Sequence, residues 1–465
     1  MTDLTRSLTR SLARYVANPS FDQAQSQAYA IAKLGFIDTI GTLFAGANEP
    51  VVKLLLEHYE AHETPAEAPV LFAGTTKPSS IAACLNATAG HALDYDDVAM
   101  SGHPSTVLVP AILAEGHRLG VTGDRALAAY VVGYEVWSEL VFREPGKYHL
   151  KGWHPTGVLG TVAVAAAVSV LHQLNEDQAS NALAIAASMS SGLVANFGTM
   201  TKPFHAGRAA ANGIEATRLA LLGMTAAPDA FEHPAGYLNA LSIKADADRT
   251  SPADRLNKTP RLLETGLSIK RYPVCYSCHR SIDGMLALVE AHQLKPSDVK
   301  HIEVTIGPAQ ASMLRNHQPQ TELDAKFSIE FAMASALIQG EVGLRQLKDD
   351  FVQRPEVRAI FDKVSVKINE TPCPLEPSFA LTDRVVVTLN DGRTLDSGEI
   401  RFPLGNAGNP MDEAGMRLKF LDCLASAKEL GVAVPVAGET LYERLVQLES
   451  APSIQSLFDR DDWAR

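Results

Sequence analysis

The chain is poor in several things, and each shortage excludes a class of protein. It carries only five cysteines in 465 residues. That odd and scattered set (Cys84, Cys275, Cys278, Cys373, Cys423) is no secreted disulfide framework. Basic residues are outnumbered, with a formal charge of −12. A nucleic-acid-binding chain would present a basic face, so that role is not expected. The longest apolar stretch, Val158 to Leu171, is interrupted by Gly160 and Thr161 and is short for a bilayer; it reads as a buried core helix. No glycine-rich phosphate loop, Ser-His-Asp signature or EF-hand pattern occurs, and no repeat or low-complexity tract interrupts the chain. What remains is ordinary for a globular enzyme: 46% hydrophobic and 20% charged residues in a chain long enough for two or three domains.

The opening residues place Leu4, Leu8, Leu12 and Tyr15 on one helical face, which reads as a packing surface rather than an export signal. A cytoplasmic location is the expectation, with no membrane partner. Cys275-Tyr276-Ser277-Cys278-His279 matches the pattern that attaches c-type haem. Haem c needs export, and a zinc site would need further ligands at usable spacing. The preferred reading keeps His279 as the functional residue and the cysteines as small packing groups, with no metal and no cofactor.

Up to about residue 265 the pattern is helical. Ala24 to Ala45, Ser80 to Leu93, Ser105 to Leu119, Arg125 to Phe142, Val158 to Leu171, Glu176 to Ser188 and Gly207 to Leu222 have helical spacing or Ala-rich composition. Thereafter β-branched runs appear at 301–306, 364–368 and 385–389, the last followed by an Asn390-Asp391-Gly392-Arg393 turn. The chain is therefore expected to be mainly α with a smaller α+β domain: a helical domain over 1–267, the smaller domain over 268–402, and C-terminal helices over 403–465 rejoining the first.

Polar knots separate the apolar segments, and loops between rigid elements are where chemistry collects. The densest is Asp94-Tyr95-Asp96-Asp97, with His103-Pro104 just beyond. Crowded carboxylates repel, so one tends to hold a proton while another stays ionised and can orient an imidazole. Asp94 and His103 are the candidate acid–base groups here; Asp96 and Asp97 are as well explained by capping. His154, also before a proline, and Lys202, read as lying in a short polar break before Pro203, are the candidates opposite them. Arg208, Lys270, Arg271, His279 and Arg280 form cationic groups suited to gripping carboxylates. His205 is read as a supporting residue.

Together these knots resemble the MmgE/PrpD family, which includes 2-methylcitrate dehydratase, cis-aconitate decarboxylase and iminodisuccinate epimerase. The resemblance rests on His91-Ala92-Leu93-Asp94-Tyr95-Asp96-Asp97, on Gly152 to Gly157, on Lys202 to Arg208, and on Lys270 to Pro273 with His279. It extends to Gly405 through Met411. It implies a large helical domain, a smaller α/β lid-like domain and a homodimer. It also implies cofactor-free chemistry at a carbon beside a carboxylate of a small polycarboxylate. On that scheme Asp94, His103, His154 and Lys202 carry protons, while Arg208, Lys270, His279 and Arg280 hold the substrate.

Two departures matter. The dehydratases carry Asn-Asp-Thr-Trp where this chain has Asp96-Asp97-Val98-Ala99, and the decarboxylases carry Thr where Val98 stands. These differences make iminodisuccinate epimerase the leading expectation, with a dehydratase or decarboxylase as the alternative. A polycarboxylate-binding protein without catalysis is the alternative from another class.

Overall fold

The computed structural model describes residues 7–21, 24–60, 65–374 and 379–458. Leu4, one member of the proposed N-terminal packing face, lies outside them. The other three, Leu8, Leu12 and Tyr15, are buried on the helix Leu8–Ala17, whose first turn is capped by Ser7.

The chain divides into two compact units. One comprises residues 1–268 and 414–465, the other residues 269–413. In the first, the helices Gln25–Gly46, Ser79–Ala92, Pro104–Leu119, Gly123–Val141, Pro155–His172 and Thr201–Leu221 pack on one another. Several are apolar on all sides, because they are enclosed by other helices rather than lying at the surface. Gln25–Gly46 and Pro155–His172 are long and apolar enough to cross a membrane, yet 78% and 94% of their apolar windows are buried within the fold. Burial of that extent is what a core helix shows. The second helix spans 18 residues, longer than its apolar run suggested, because His154-Pro155 starts it early.

A buried carboxylate ties four of these helices together. Glu115 receives Arg118 at 2.6 Å, Arg218 at 2.7 Å and His172 at 2.8 Å, and it also receives the Ser79 hydroxyl. Burial would raise its pKa, but these four donors outweigh burial and hold it well below the usual carboxylate range. A small antiparallel ribbon, Ala68–Val70 with Thr75–Lys77, also belongs to this unit; sequence alternation had not shown it.

The smaller unit is built on a four-stranded sheet in the order Val364–Ile368, Val299–Ile306, Arg384–Leu389, Thr394–Asp396. The first pair is parallel and the other two antiparallel. The turn after Leu389 is a hairpin as expected: Gly392 adopts φ +89°, and the Leu389 amide donates to the Arg393 carbonyl at 2.8 Å. Helix His279–His292 packs on the strand Arg384–Leu389, and Ile329–Gln339 packs on that helix within the same apolar core. Cys275 and Cys278 are packed in that core and free of any disulfide, as small apolar side chains would be.

The segment 403–413, expected with the C-terminal helices, groups with the smaller unit. The Ile269 amide donates to the Gly405 carbonyl at 2.8 Å, and the Leu404 amide donates to Asp283 at 2.6 Å. Gly405 has φ +95°, and a Cβ there would stand 2.1 Å from the Ile269 carbonyl oxygen, so this close crossing requires glycine. The helix Glu413–Glu429 then runs with the large unit.

Candidate active site

Three helices of the large unit begin at one place. His103 and His154 are the N-cap residues of Pro104–Leu119 and Pro155–His172, each held out of the helix by the proline that follows. Lys202 is the second residue of Thr201–Leu221. It does not lie in a polar break, as the sequence suggested: Pro203 falls in the first helical turn, where the missing N–H has no partner to lose. The His103 amide donates to Thr156 Oγ1 at 3.2 Å, so two of the helix starts are joined directly. Gly157 lets the start of its helix pack against the segment after Glu176–Met189, since a Cβ there would meet the Ser191 carbonyl oxygen at 2.1 Å. Converging helix N-termini present unpaired N–H groups and favour bound anions.

Into this space project the side chains of the loop after Ser79–Ala92. Asp94 has a left-handed backbone, φ 54°, which turns the chain sharply out of that helix. Its Oδ1 accepts from Lys202 Nζ at 2.6 Å and lies 3.6 Å from His103 Nε2. Behind them, Asp96 Oδ2 sits 3.0 Å from His91 Nδ1 and 3.1 Å from His103 Nδ1. His103 Nδ1 also reaches the Asp97 carbonyl at 2.9 Å. A carbonyl can only accept, so Nδ1 carries a proton, and Nε2 is the nitrogen turned toward Asp94.

Exposure separates a front from a back. The side chains of Asp94, His103 and Lys202 are 11–12% exposed, while those of His91 and Asp96 are fully buried. The front three are therefore the groups a substrate can touch. Burial drives the His91 imidazole down to about 4, so it is neutral near pH 7. Asp96 would be raised by burial, but His91 and His103 outweigh that and hold it well below the usual carboxylate range. Asp97 has neither advantage. Burial, together with Asp38 and Asp96, pushes its carboxyl far up, so it holds its proton.

His154 faces a second imidazole, with its Nδ1 3.1 Å from His205 Nδ1; one of the two nitrogens must donate. Burial first, and then the Lys202 charge, lower His154 well below its ordinary value, so it works as a neutral base or donor. Phe197 packs edge-on against His154, and Lys202 Nζ lies 5.4 Å over its ring.

His91, Asp94, Asp96 and His103 have ligand-type atoms within 4.8 Å of one another and could in principle hold a cation. Their donors fit hydrogen bonding better. Both imidazole Nδ1 atoms face Asp96, and an ammonium already neutralises Asp94.

The sequence models for this fold match most of the chain. The N-terminal domain of the MmgE/PrpD family aligns with residues 10–250, and its C-terminal domain with residues 272–429. The chain belongs to the MmgE/PrpD family. It is similar to the cis-aconitate decarboxylase of Homo sapiens, with 27% identity covering 90% of this chain and 88% of that protein. The Mus musculus enzyme of the same name is also 27% identical, over 90% and 86%. The cis-aconitate decarboxylase of Aspergillus terreus is 24% identical, over 86% and 85%.

Of the residues singled out for this MmgE/PrpD chain, Asp94, His103, His154 and Lys202 come together, and the structure adds His91, Asp96 and His205. Both His91 and Asp96 stand in the motif that carried the family resemblance, five residues apart, but nothing in the local sequence says that they touch. Arg208 is not brought into the cluster by its contacts. It donates to Asn212 at 2.7 Å and lies beside Tyr59 and Cys84.

Lys270, His279 and Arg280 belong to the smaller unit, and all three are buried there. His279 packs its ring against Tyr272 and Tyr276. Arg280 donates to the Ala380 carbonyl at 2.7 Å and pairs with Asp383 at 3.6 Å. Burial raises the Asp383 carboxyl to about 7 even so. Arg280 thus has an internal partner for its charge, which the sequence, reading it as a substrate anchor, did not reveal.

Proposed function

We propose that this protein is a lyase that removes carbon dioxide from cis-aconitate or a closely similar unsaturated tricarboxylate. The observation that carries the reading is the Lys202–Asp94–His103 constellation at three converging helix starts, in a chain that resembles cis-aconitate decarboxylases along nine-tenths of its length. Decarboxylation breaks one carbon–carbon bond, and the electron pair left on the substrate must be quenched by one proton. The helix N-termini and the Lys202 ammonium stabilise the charge on the remaining carboxylates. His103 Nε2, with its opposite nitrogen tied to Asp97 and Asp96, is placed to take that proton from solvent and deliver it to the substrate carbon.

The epimerase reading moves to second place, because the relatives named above are decarboxylases. It keeps one specific support: Val98 stands where the decarboxylases carry Thr. The test is proton NMR of the purified protein in D2O with cis-aconitate, 2-methylcitrate and single stereoisomers of iminodisuccinate. Conversion of cis-aconitate to an unsaturated dicarboxylate, with one deuterium per turnover, is the expected result. Deuterium exchange and stereoinversion of iminodisuccinate with cis-aconitate untouched would replace the proposal with the epimerase.

A further inference from the structure

We propose that Lys419 is a positioning residue for the acid–base centre: through Tyr95, Asp38 and Asp97 it holds the loop that sets the proton of His103. Lys419 lies on the helix Glu413–Glu429, far from the site motifs in sequence, and is only 7% exposed. Lysine is almost never buried without a partner. This one has three. Its Nζ donates to Asp38 Oδ1 at 2.5 Å and to the Tyr95 carbonyl at 2.9 Å, and it sits 4.0 Å over the Tyr95 ring.

Those contacts bear directly on the loop. Tyr95 lies between Asp94, which pairs with Lys202, and Asp96, which faces both imidazoles. Asp38 lies beside the Asp97 backbone amide, and the Asp97 carbonyl accepts the Nδ1 proton of His103. Lys419 therefore grips both Asp38 and the Tyr95 carbonyl of the same loop whose Asp97 carbonyl holds His103. The loop has reason to need an outside brace. Asp94, Met100 and Ser101 all have left-handed backbones at φ 54°, 46° and 67°, a conformation that non-glycine residues keep only when their surroundings impose it. Lys419 also supplies the positive charge nearest to Asp38 and Asp97, two buried carboxyls that face each other and Asp96.

The inference rests on reading the site as one of proton transfer, so its test has a readout with substrate and one without. In Lys419→Met, kcat on cis-aconitate should fall at least tenfold while KM stays within threefold, because substrate contacts are untouched and His103 is misaligned. Nitrogen-15 spectra of labelled histidine should show His103 protonated at Nδ1 in the parent and a mixture of tautomers in the variant. A smaller loss of kcat in the folded variant, a change confined to KM, or an unaltered His103 tautomer would overturn the proposal. If Lys419→Met fails to fold, the double variant Asp38→Asn/Lys419→Met, which leaves no unpaired charge, is held to the same criteria. Should the parent itself leave cis-aconitate untouched, the decarboxylase reading falls, and the His103 tautomer alone decides the role of Lys419.

Discussion

Two buried carboxylates, one in each unit, behave in opposite ways. Asp96 in the helical unit stays ionised, although it is completely enclosed. Asp383 in the smaller unit is equally enclosed and faces a guanidinium and an amide, yet its pKa climbs to about 7. The difference lies in the partners' distance. Asp96 has imidazoles at 3.0 and 3.1 Å, whereas the Asp383 guanidinium is 3.6 Å away and donates its close hydrogen bond to the Ala380 carbonyl instead. Asp97, next to Asp96 in the chain and equally buried, sides with Asp383 because burial and the carboxylates of Asp38 and Asp96 outweigh the Lys419 charge. Burial alone therefore does not say whether an acid is charged. The identity and distance of its partners do.

Four experiments sharpen or break this contrast. The largest effect is expected at the front of the site. Lys202→Ala leaves Asp94 without its ammonium and, on the proposed reaction, removes the cation that binds substrate carboxylate. Turnover should fall on the order of a thousandfold; activity within threefold of the parent would remove Lys202 from the mechanism.

Asp96→Asn comes next. It keeps the shape but takes away the anion that orients His91 and His103, and kcat should drop on the order of a hundredfold. A drop in KM-limited rate only would show that Asp96 serves binding rather than orientation.

The third experiment concerns the smaller unit. A carboxyl whose folded pKa lies above its ordinary value stabilises the fold fully at low pH, and that contribution is lost as pH rises from about 4 through about 7. Asp383→Asn should thus match the parent in thermal midpoint below about pH 4 and exceed it by a few degrees at pH 8. Equal midpoints at both values would mean that the Arg280 pairing keeps Asp383 ionised.

The smallest effect is expected at Asp97. Because this acid already holds its proton, Asp97→Asn should leave kcat within threefold at pH 7. A loss as large as that of Asp96→Asn would show that both neighbours are charged.

Much of the fold was legible in the chain because its signals are local. Helical spacing marked the large unit, β-branched runs marked the three longer strands, and Asn390-Asp391-Gly392-Arg393 marked the hairpin. His103-Pro104 and His154-Pro155 announced helix starts, since proline restricts the residue before it and fits the first turn. Lys202 misled for the same reason: Lys-Pro read as a break when it is the first turn of a helix. The ribbon at 68–77 escaped because its strands are only three residues long, too short for alternation to show. The internal partners of Arg208 and Arg280, Asn212 and Asp383, were invisible in sequence because each pairing is set by the fold.

The sequence by itself determined the family, the helical and mixed units, and the four polar residues that the fold gathers at one place. These follow from short-range rules: periodicity, turn chemistry and motif spacing. Tertiary structure decided which of them meet and in what charge state. Lys202 reaches Asp94 across 108 positions, and Lys419 reaches Asp38 across 381. Whether Asp96 or Asp97 is the anion depends on imidazoles and carboxylates brought in by other turns of chain. A charge responds to everything within a few ångströms in space, and only the folded packing fixes what that is.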